Sequence, residues 1–209
     1  MRTSVLRYVV VATAILAMTG AAAASTLEVS RSPSPSPFMT IGGLTSQPIG
    51  HYEFCQIHVS ECDVTSAKSS RVHLTAALWS QLIAINAEVN RDIAPATDME
   101  LYGVEEYWTY PTTAGDCEDL ALLKRRDLLE KGWPVGALLM TVVKRDDGEG
   151  HAVLTVLTDR GDLVLDNLDG RVLVWADTPY TYVKRQSEFN TGQWVAIDDT
   201  HAPLLTSSR

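Results

Sequence analysis

Cys117 lies among carboxylates in Gly115-Asp116-Cys117-Glu118-Asp119, where a loop ending in glycine passes into the amphipathic run Leu120-Ala121-Leu122-Leu123-Lys124-Arg125-Arg126. Downstream come His151, opening His151-Ala152-Val153-Leu154, and Asp166, within Leu163-Val164-Leu165-Asp166-Asn167-Leu168. Cysteine, histidine and aspartate, in that order and each at the edge of its own element, make the residue set of a thiol nucleophile, its base and an orienting carboxylate. A thiol attacks only as thiolate, which an unperturbed cysteine scarcely supplies near neutrality. Two devices lower its pKa here. The first turn of a helix has free N–H groups that favour an anion and can also hold the oxyanion of an acyl intermediate. His151, if close, supplies an imidazolium that stabilises the thiolate and later protonates a leaving amine. Asp116, Glu118 and Asp119 act against both, so something positive is expected to occupy those carboxylates.

The third member depends on the parity of a hairpin. If His151–Leu157 and Asp162–Asn167 pair through a loop of two or four residues at Thr158–Gly161, Asp166 falls on the face of His151, opposite it or one pair away. An odd loop brings Asn167 there instead. Thr158-Asp159-Arg160-Gly161 reads as a four-residue turn, which favours Asp166. Taken singly, each of the three residues also fits an ordinary role: a small buried hydrophobe, a polar strand edge, an acid complementing a helix dipole. It is their order and placement together that point to chemistry.

These residues need elements to position them. Leu74, Leu78, Leu82, Ile85 and Val89 recur three or four apart, so a helix is expected from Ser66 to about Ile93, stopped by Pro95. Residues 98–111 read as a loop carrying Tyr102, Tyr107, Trp108 and Tyr110. A second helix is expected from near Asp116 to Glu130 or Lys131, ended by Gly132 and Pro134. It would turn Leu120, Ala121, Leu123 and Leu128 to the core and Lys124, Arg125 and Arg126 to solvent. Then the period changes to that of strands, at Ala137–Val143, His151–Leu157, Leu163–Asn167, Val172–Trp175 and Gln193–Ile197. Helices first and an antiparallel sheet after imply an α+β domain.

The first 24 residues read as a secretory signal peptide: Arg2 and Arg7, an apolar run from Tyr8 to Met18, then Ala22-Ala23-Ala24. The alternative, a membrane anchor, needs about 20 apolar residues. Residues 25–65 follow as a Ser/Pro linker, with Arg31-Ser32-Pro33-Ser34-Pro35-Ser36-Pro37, and then a loop of little regular structure holding a cysteine pair. The domain proper is expected over residues 66–209. The formal charge is −9. Removing the leader's two arginines makes it −11, which excludes an electrostatic basis for binding nucleic acid or anionic lipid and suits a basic partner or a divalent cation. Export favours pairing of Cys55 with Cys62 and leaves Cys117 as the odd thiol. The competing reading of His51, Cys55, His58 and Cys62 is a zinc site, although their spacing is not that of a standard finger.

The segment from about Leu78 to Ile197 resembles the bacterial transglutaminase-like cysteine proteinases, which include the LapG-type periplasmic proteases. The resemblance rests on Val89-Asn90, Ile93-Ala94-Pro95-Ala96-Thr97-Asp98, Tyr102-Gly103, Glu106-Tyr107-Trp108, the Gly115–Asp119 block, His151–Leu154, Leu165-Asp166-Asn167-Leu168, Lys184-Arg185-Gln186-Ser187 and Trp194-Val195. It implies a papain/transglutaminase-like core, with Cys117 as nucleophile, His151 as general base and acid, and Asp166 as the orienting carboxylate. It also implies calcium at Asp116, Glu118 and Asp119, which carboxylate oxygens would hold. The best-known branch of the family clips a large surface adhesin and is held back by an inner-membrane cyclic-di-GMP receptor. The expectation is therefore a monomeric periplasmic cysteine endopeptidase acting on a periplasmic or cell-surface protein. Acyl transfer to an amine and a non-catalytic binding role are the competing functions.

Overall fold

The computed structural model describes residues 36–198, so the expected leader and the linker up to residue 35 lie outside the described residues. The chain runs β1 (Ile41–Thr45), α1 (Ile49–Ile57), α2 (Val59–Cys62), α3 (Ala76–Asp92), β2 (Ala94–Pro95), α4 (Asp98–Leu101), β3 (Ala114–Gly115) and α5 (Cys117–Glu130). Then follow β4 (Leu138–Lys144), β5 (Gly150–Thr158), β6 (Gly161–Leu165), β7 (Leu173–Val174), β8 (Thr181–Ser187) and β9 (Asn190–Ile197). Seven strands make one antiparallel sheet in the order β1-β9-β8-β4-β5-β6-β7. The period of two along the strands decides which side chains meet the helices. Leu138, Met140, Leu154, Val156, Leu163 and Leu165 join Leu82, Ile85, Val89, Leu120 and Leu128 in the main core. The alternate residues Val143, Val153 and Val164 cluster on the other face with Met39, Trp175, Tyr182 and Ile197.

The structure departs from the sequence reading in five places. Residues 38–65 are not a structureless loop before the domain. They supply β1, which pairs with β9, and two helices held by a Cys55–Cys62 disulfide and by buried Phe54. The short, glycine-rich strand had no periodicity to reveal it. The first long helix starts at Ala76 rather than Ser66, because the Thr75 hydroxyl accepts the Leu78 N–H at 3.3 Å and caps it. Before it, Val72 N–H reaches Leu157 O at 3.0 Å, so this stretch follows the sheet. The aromatic loop contains α4, started by a capping box between Thr97 and Glu100. β8 is a strand whose Arg185 and Gln186 are buried, a polar content that hid it from pattern reading.

The fifth departure concerns α5 itself. Lys124 and Arg125 do not face solvent; they are 1% and 2% exposed. A helix lying between a sheet and α3 has little free surface, and this one turns only part of its polar side outward. Arg125 is satisfied by Glu61 at 2.9 Å and by the Leu138 carbonyl at 3.2 Å. Glu61 belongs to the disulfide-closed α1–α2 segment, so this segment is tied to α5 by a charge pair. The C-terminal stop follows expectation: Gly132 adopts φ +87°, a conformation that favours glycine.

Candidate active site

Cys117 is the first residue of α5, with Asp116 in the capping position. The loop before it is held by β2 and β3, which pair in parallel through Ala94–Ala114 and Pro95–Gly115. Gly115 is required by close approach: a Cβ there would lie 2.7 Å from Asp119 Oδ2 and 3.0 Å from Pro111 Cβ. The thiol therefore sits at the mouth of a helix whose entry geometry is fixed. It lines a cleft of about 450 Å³ together with His151, Trp108, Glu118 and Ala152.

The β5–β6 hairpin pairs Leu154 with Leu165 and closes with Thr158 opposite Gly161. The loop is thus the two residues Asp159 and Arg160, not four. Both lengths are even, so the parity stands: Asp166 lies on His151's face, one pair away. His151 Nε2 meets Asp166 Oδ1 at 2.8 Å, and Asn167 takes no part. Nδ1 is left as the ring nitrogen available for proton exchange in the cleft. Asp166 Oδ1 also accepts the Leu168 N–H at 3.0 Å, and Oδ2 accepts the Tyr180 hydroxyl. Asn90 Nδ2 donates to the Asp166 backbone carbonyl at 2.8 Å, tying the aspartate to α3. Burial alone would raise Asp166, but the bonds from His151, Tyr180 and Leu168 outweigh it and hold the carboxyl below its usual range.

Cys117 Sγ donates to Glu118 Oε2 at 3.0 Å and accepts the Ala152 N–H at 3.4 Å. Burial first, then the charge and hydrogen bond of Glu118, push its pKa well up. The sequence had flagged this conflict. Its source is a pocket of carboxylates. Asp98, Asp116 and Glu118 bring oxygens within 4.8 Å of one another. Burial, with the charge of Asp116 second, pushes Glu118 up to about 8. Burial likewise pushes Asp119 up to about 7.

A hard divalent cation fits this donor set. Oδ1 of Asp98, Oδ1 of Asp116 and Oδ2 of Asp119 are buried with no hydrogen-bond partner in the protein, and orphaned buried oxygens are costly unless something neutralises them. Calcium takes such carboxylate oxygens. Asp98 was not among the expected ligands, yet it joins the group. Asp119, which was expected, stands outside that mutual 4.8 Å set and gives Oδ1 to the Thr109 N–H at 2.8 Å. The Thr97-x-x-Glu100 spacing was the one signal that could have placed Asp98 in a first helical turn. Nothing in the local sequence marks Tyr180 or Lys124.

The His51–Cys55–His58–Cys62 string is not a metal site. Cys55 and Cys62 are bonded to each other at 2.02 Å, so neither has a thiolate to offer. Trp194 Nε1 donates to His51 Nδ1 at 3.2 Å, and His51 Nε2 lies 2.9 Å from Gln186 Nε2. His58 stacks on Phe54. Cys117 is the free cysteine.

A free thiol on a helix start, lining one cleft with a strand-borne histidine that is bonded to an aspartate, is compatible with a papain- or transglutaminase-like fold. The chain belongs to the bacterial transglutaminase-like cysteine proteinases: the model of that family, Bacterial transglutaminase-like cysteine proteinase BTLCP, matches residues 41–202. Among solved structures it is similar to calcium-bound Legionella pneumophila LapG, at 28% identity over 57% of this chain and 69% of that one, with a TM-score of 0.48. The EGTA-treated form of the same Legionella protein is similar at 28% identity over 59% of this chain and 72% of that one, also with a TM-score of 0.48. No curated protein matches the chain in sequence.

Proposed function

We propose that this chain is an exported cysteine endopeptidase that cuts a protein in the periplasm or at the cell surface, a large adhesin being one such substrate. The observation that carries this reading is the His151–Asp166 hydrogen bond at 2.8 Å, in a strand whose histidine lines the same cleft as the free thiol of Cys117. His151 takes the thiol proton at Nδ1 while Asp166 fixes the other ring nitrogen. Sulfur then adds to the scissile carbonyl. The helix-start N–H groups at Cys117 face the developing oxyanion. The imidazolium returns its proton to the leaving amine, and water, deprotonated by His151, releases the acyl group. Asp98, Asp116 and Glu118 would hold calcium, with Asp119 beside them, and calcium there would supply the positive charge that the carboxylates around the thiol lack. The apolar run before Ser25 supports export, and removal of the leader would place the monomer in the periplasm. There, regulation by an inner-membrane cyclic-di-GMP receptor is the form the family resemblance suggests.

The test compares protein N-termini in the envelope and medium of cells carrying the wild-type chain or Cys117→Ala. New N-termini that vanish with the substitution support the reading. Incorporation of a labelled primary amine without new N-termini would instead make the enzyme an acyl transferase.

A further inference from the structure

Asp166 has a partner that neither the sequence pattern nor the triad accounts for. Tyr180 stands immediately before β8, in Asp177-Thr178-Pro179-Tyr180, and donates its hydroxyl to Asp166 Oδ2. Its ring lies 5.4 Å from that of His151, inclined at 55°. We propose that Tyr180 is a positioning residue for the thiol chemistry, acting on His151 through Asp166. The inference rests on the catalytic reading given above.

The geometry gives the reason. Asp166 Oδ1 is committed to His151 Nε2 and the Leu168 N–H. Asp166 and Tyr180 also line a second, smaller cavity of about 170 Å³, with Asp169, Arg171 and Thr178 among its other walls. Without the hydroxyl, Oδ2 would lose the hydrogen bond that holds it, and the carboxylate could rotate about its Cβ–Cγ bond. Rotation would carry Oδ1 away from His151. The Tyr180 hydroxyl is the bond that fixes the carboxylate plane from the far side. Other charged groups near Asp166 do not duplicate it. Lys124 on α5 interacts with Asp166 through space without a hydrogen bond. Arg171 is occupied by Asp169 through three contacts of 2.7–3.2 Å. The anchor is well placed for this role, because β8 pairs with β4, which pairs with the histidine strand β5.

The probe is iodoacetamide, which alkylates Cys117 without any need to know the substrate. Near pH 6 the reaction depends on passing the thiol proton to the oriented imidazole; near pH 10 solvent hydroxide can take that proton without help from His151. With calcium in excess, Tyr180→Phe should slow alkylation about tenfold near pH 6, the loss expected for one hydrogen bond to a charged group, and leave it unchanged near pH 10. Asp166→Asn should show the same pattern, and the double variant should be no slower than Asp166→Asn alone, since Tyr180 acts only through Asp166. Full reactivity of Tyr180→Phe beside an impaired Asp166→Asn overturns the proposal and leaves the triad standing. An additive loss in the double variant overturns it too. A slowed reaction near pH 10 would mean that the substitution had disturbed the fold or access to the thiol, and would refute a positioning role. If Asp166→Asn itself reacts like wild type, the catalytic reading fails, and this inference with it.

Discussion

Lys124 is 1% exposed, and burial outweighs the attraction of Asp166 for its ammonium group, so the protein should carry a measurable penalty for charging it. Burial lowers its pKa from 10.5 to about 7, with Asp166 opposing the shift. The sign follows from linkage. Between those two values the unfolded chain binds the proton and the folded chain does not, so stability rises with pH across this window and the full penalty is present below it. A fall from 10.5 to about 7 corresponds to about 5 kcal/mol. Water reaching the ammonium would reduce that figure, and the lost attraction to Asp166 offsets part of the gain on substitution. Lys124→Met keeps the unbranched stem and removes the charge. Near pH 6 it should stabilise the fold by about 1–4 kcal/mol, as buried charges replaced by apolar side chains commonly do. Near pH 9 the wild type will have recovered about 3 kcal/mol relative to the variant, so the advantage should shrink or vanish. Urea unfolding of both proteins at the two pH values measures this difference directly. Parallel behaviour of the two proteins, or a variant less stable than wild type near pH 6, would refute the reasoning that burial penalises the charged form of Lys124.

Other consequences follow from named contacts. Calcium at one hundred times its dissociation constant should stabilise the protein by about 2.7 kcal/mol, a rise of roughly 5–10 °C in Tm for a chain of this size. Asp98→Asn should weaken calcium binding in a calorimetric titration, and unchanged affinity would remove Asp98 from the ligand set. Gly115→Ala forces a Cβ to 2.7 Å from Asp119 Oδ2; it should destabilise the fold by about 1–3 kcal/mol and slow alkylation of Cys117 by displacing the helix start. Glu61→Ala leaves Arg125, 2% exposed, without its carboxylate and should cost about 3–5 kcal/mol in urea unfolding. A loss below 1 kcal/mol would show that the Leu138 carbonyl alone satisfies the guanidinium.

Much of the site was legible in the sequence because its chemistry is carried by local patterns. Cys117 is announced by the change from a glycine-ended loop to a helical period, and Asp166 by the even parity of a short turn, which survives an error in the turn's length. The parts that were not legible depend on tertiary packing. Lys124 and Arg125 look like the wet face of a helix until α3 and the sheet cover them. Asp98 reaches the carboxylate pocket only because α4 folds back against the start of α5. Tyr180 precedes a strand too polar to be recognised, and its link to Asp166 spans two turns of chain that no periodicity connects. The segment 41–62 lacked a long repeat because its stability comes from one edge-strand pairing, a disulfide and a few buried side chains.

The proposed reaction is cleavage of peptide bonds by Cys117, served by His151 and Asp166. The most direct measurement incubates purified wild-type protein or Cys117→Ala with envelope proteins of cells lacking this chain, with calcium and a labelled primary amine present, and reads new N-termini and amine incorporation together. Wild type should give discrete new N-termini, Cys117→Ala none, and no labelled amine should be retained on the envelope proteins. Identical envelope proteins in both reactions, or labelled amine without new N-termini, would contradict it.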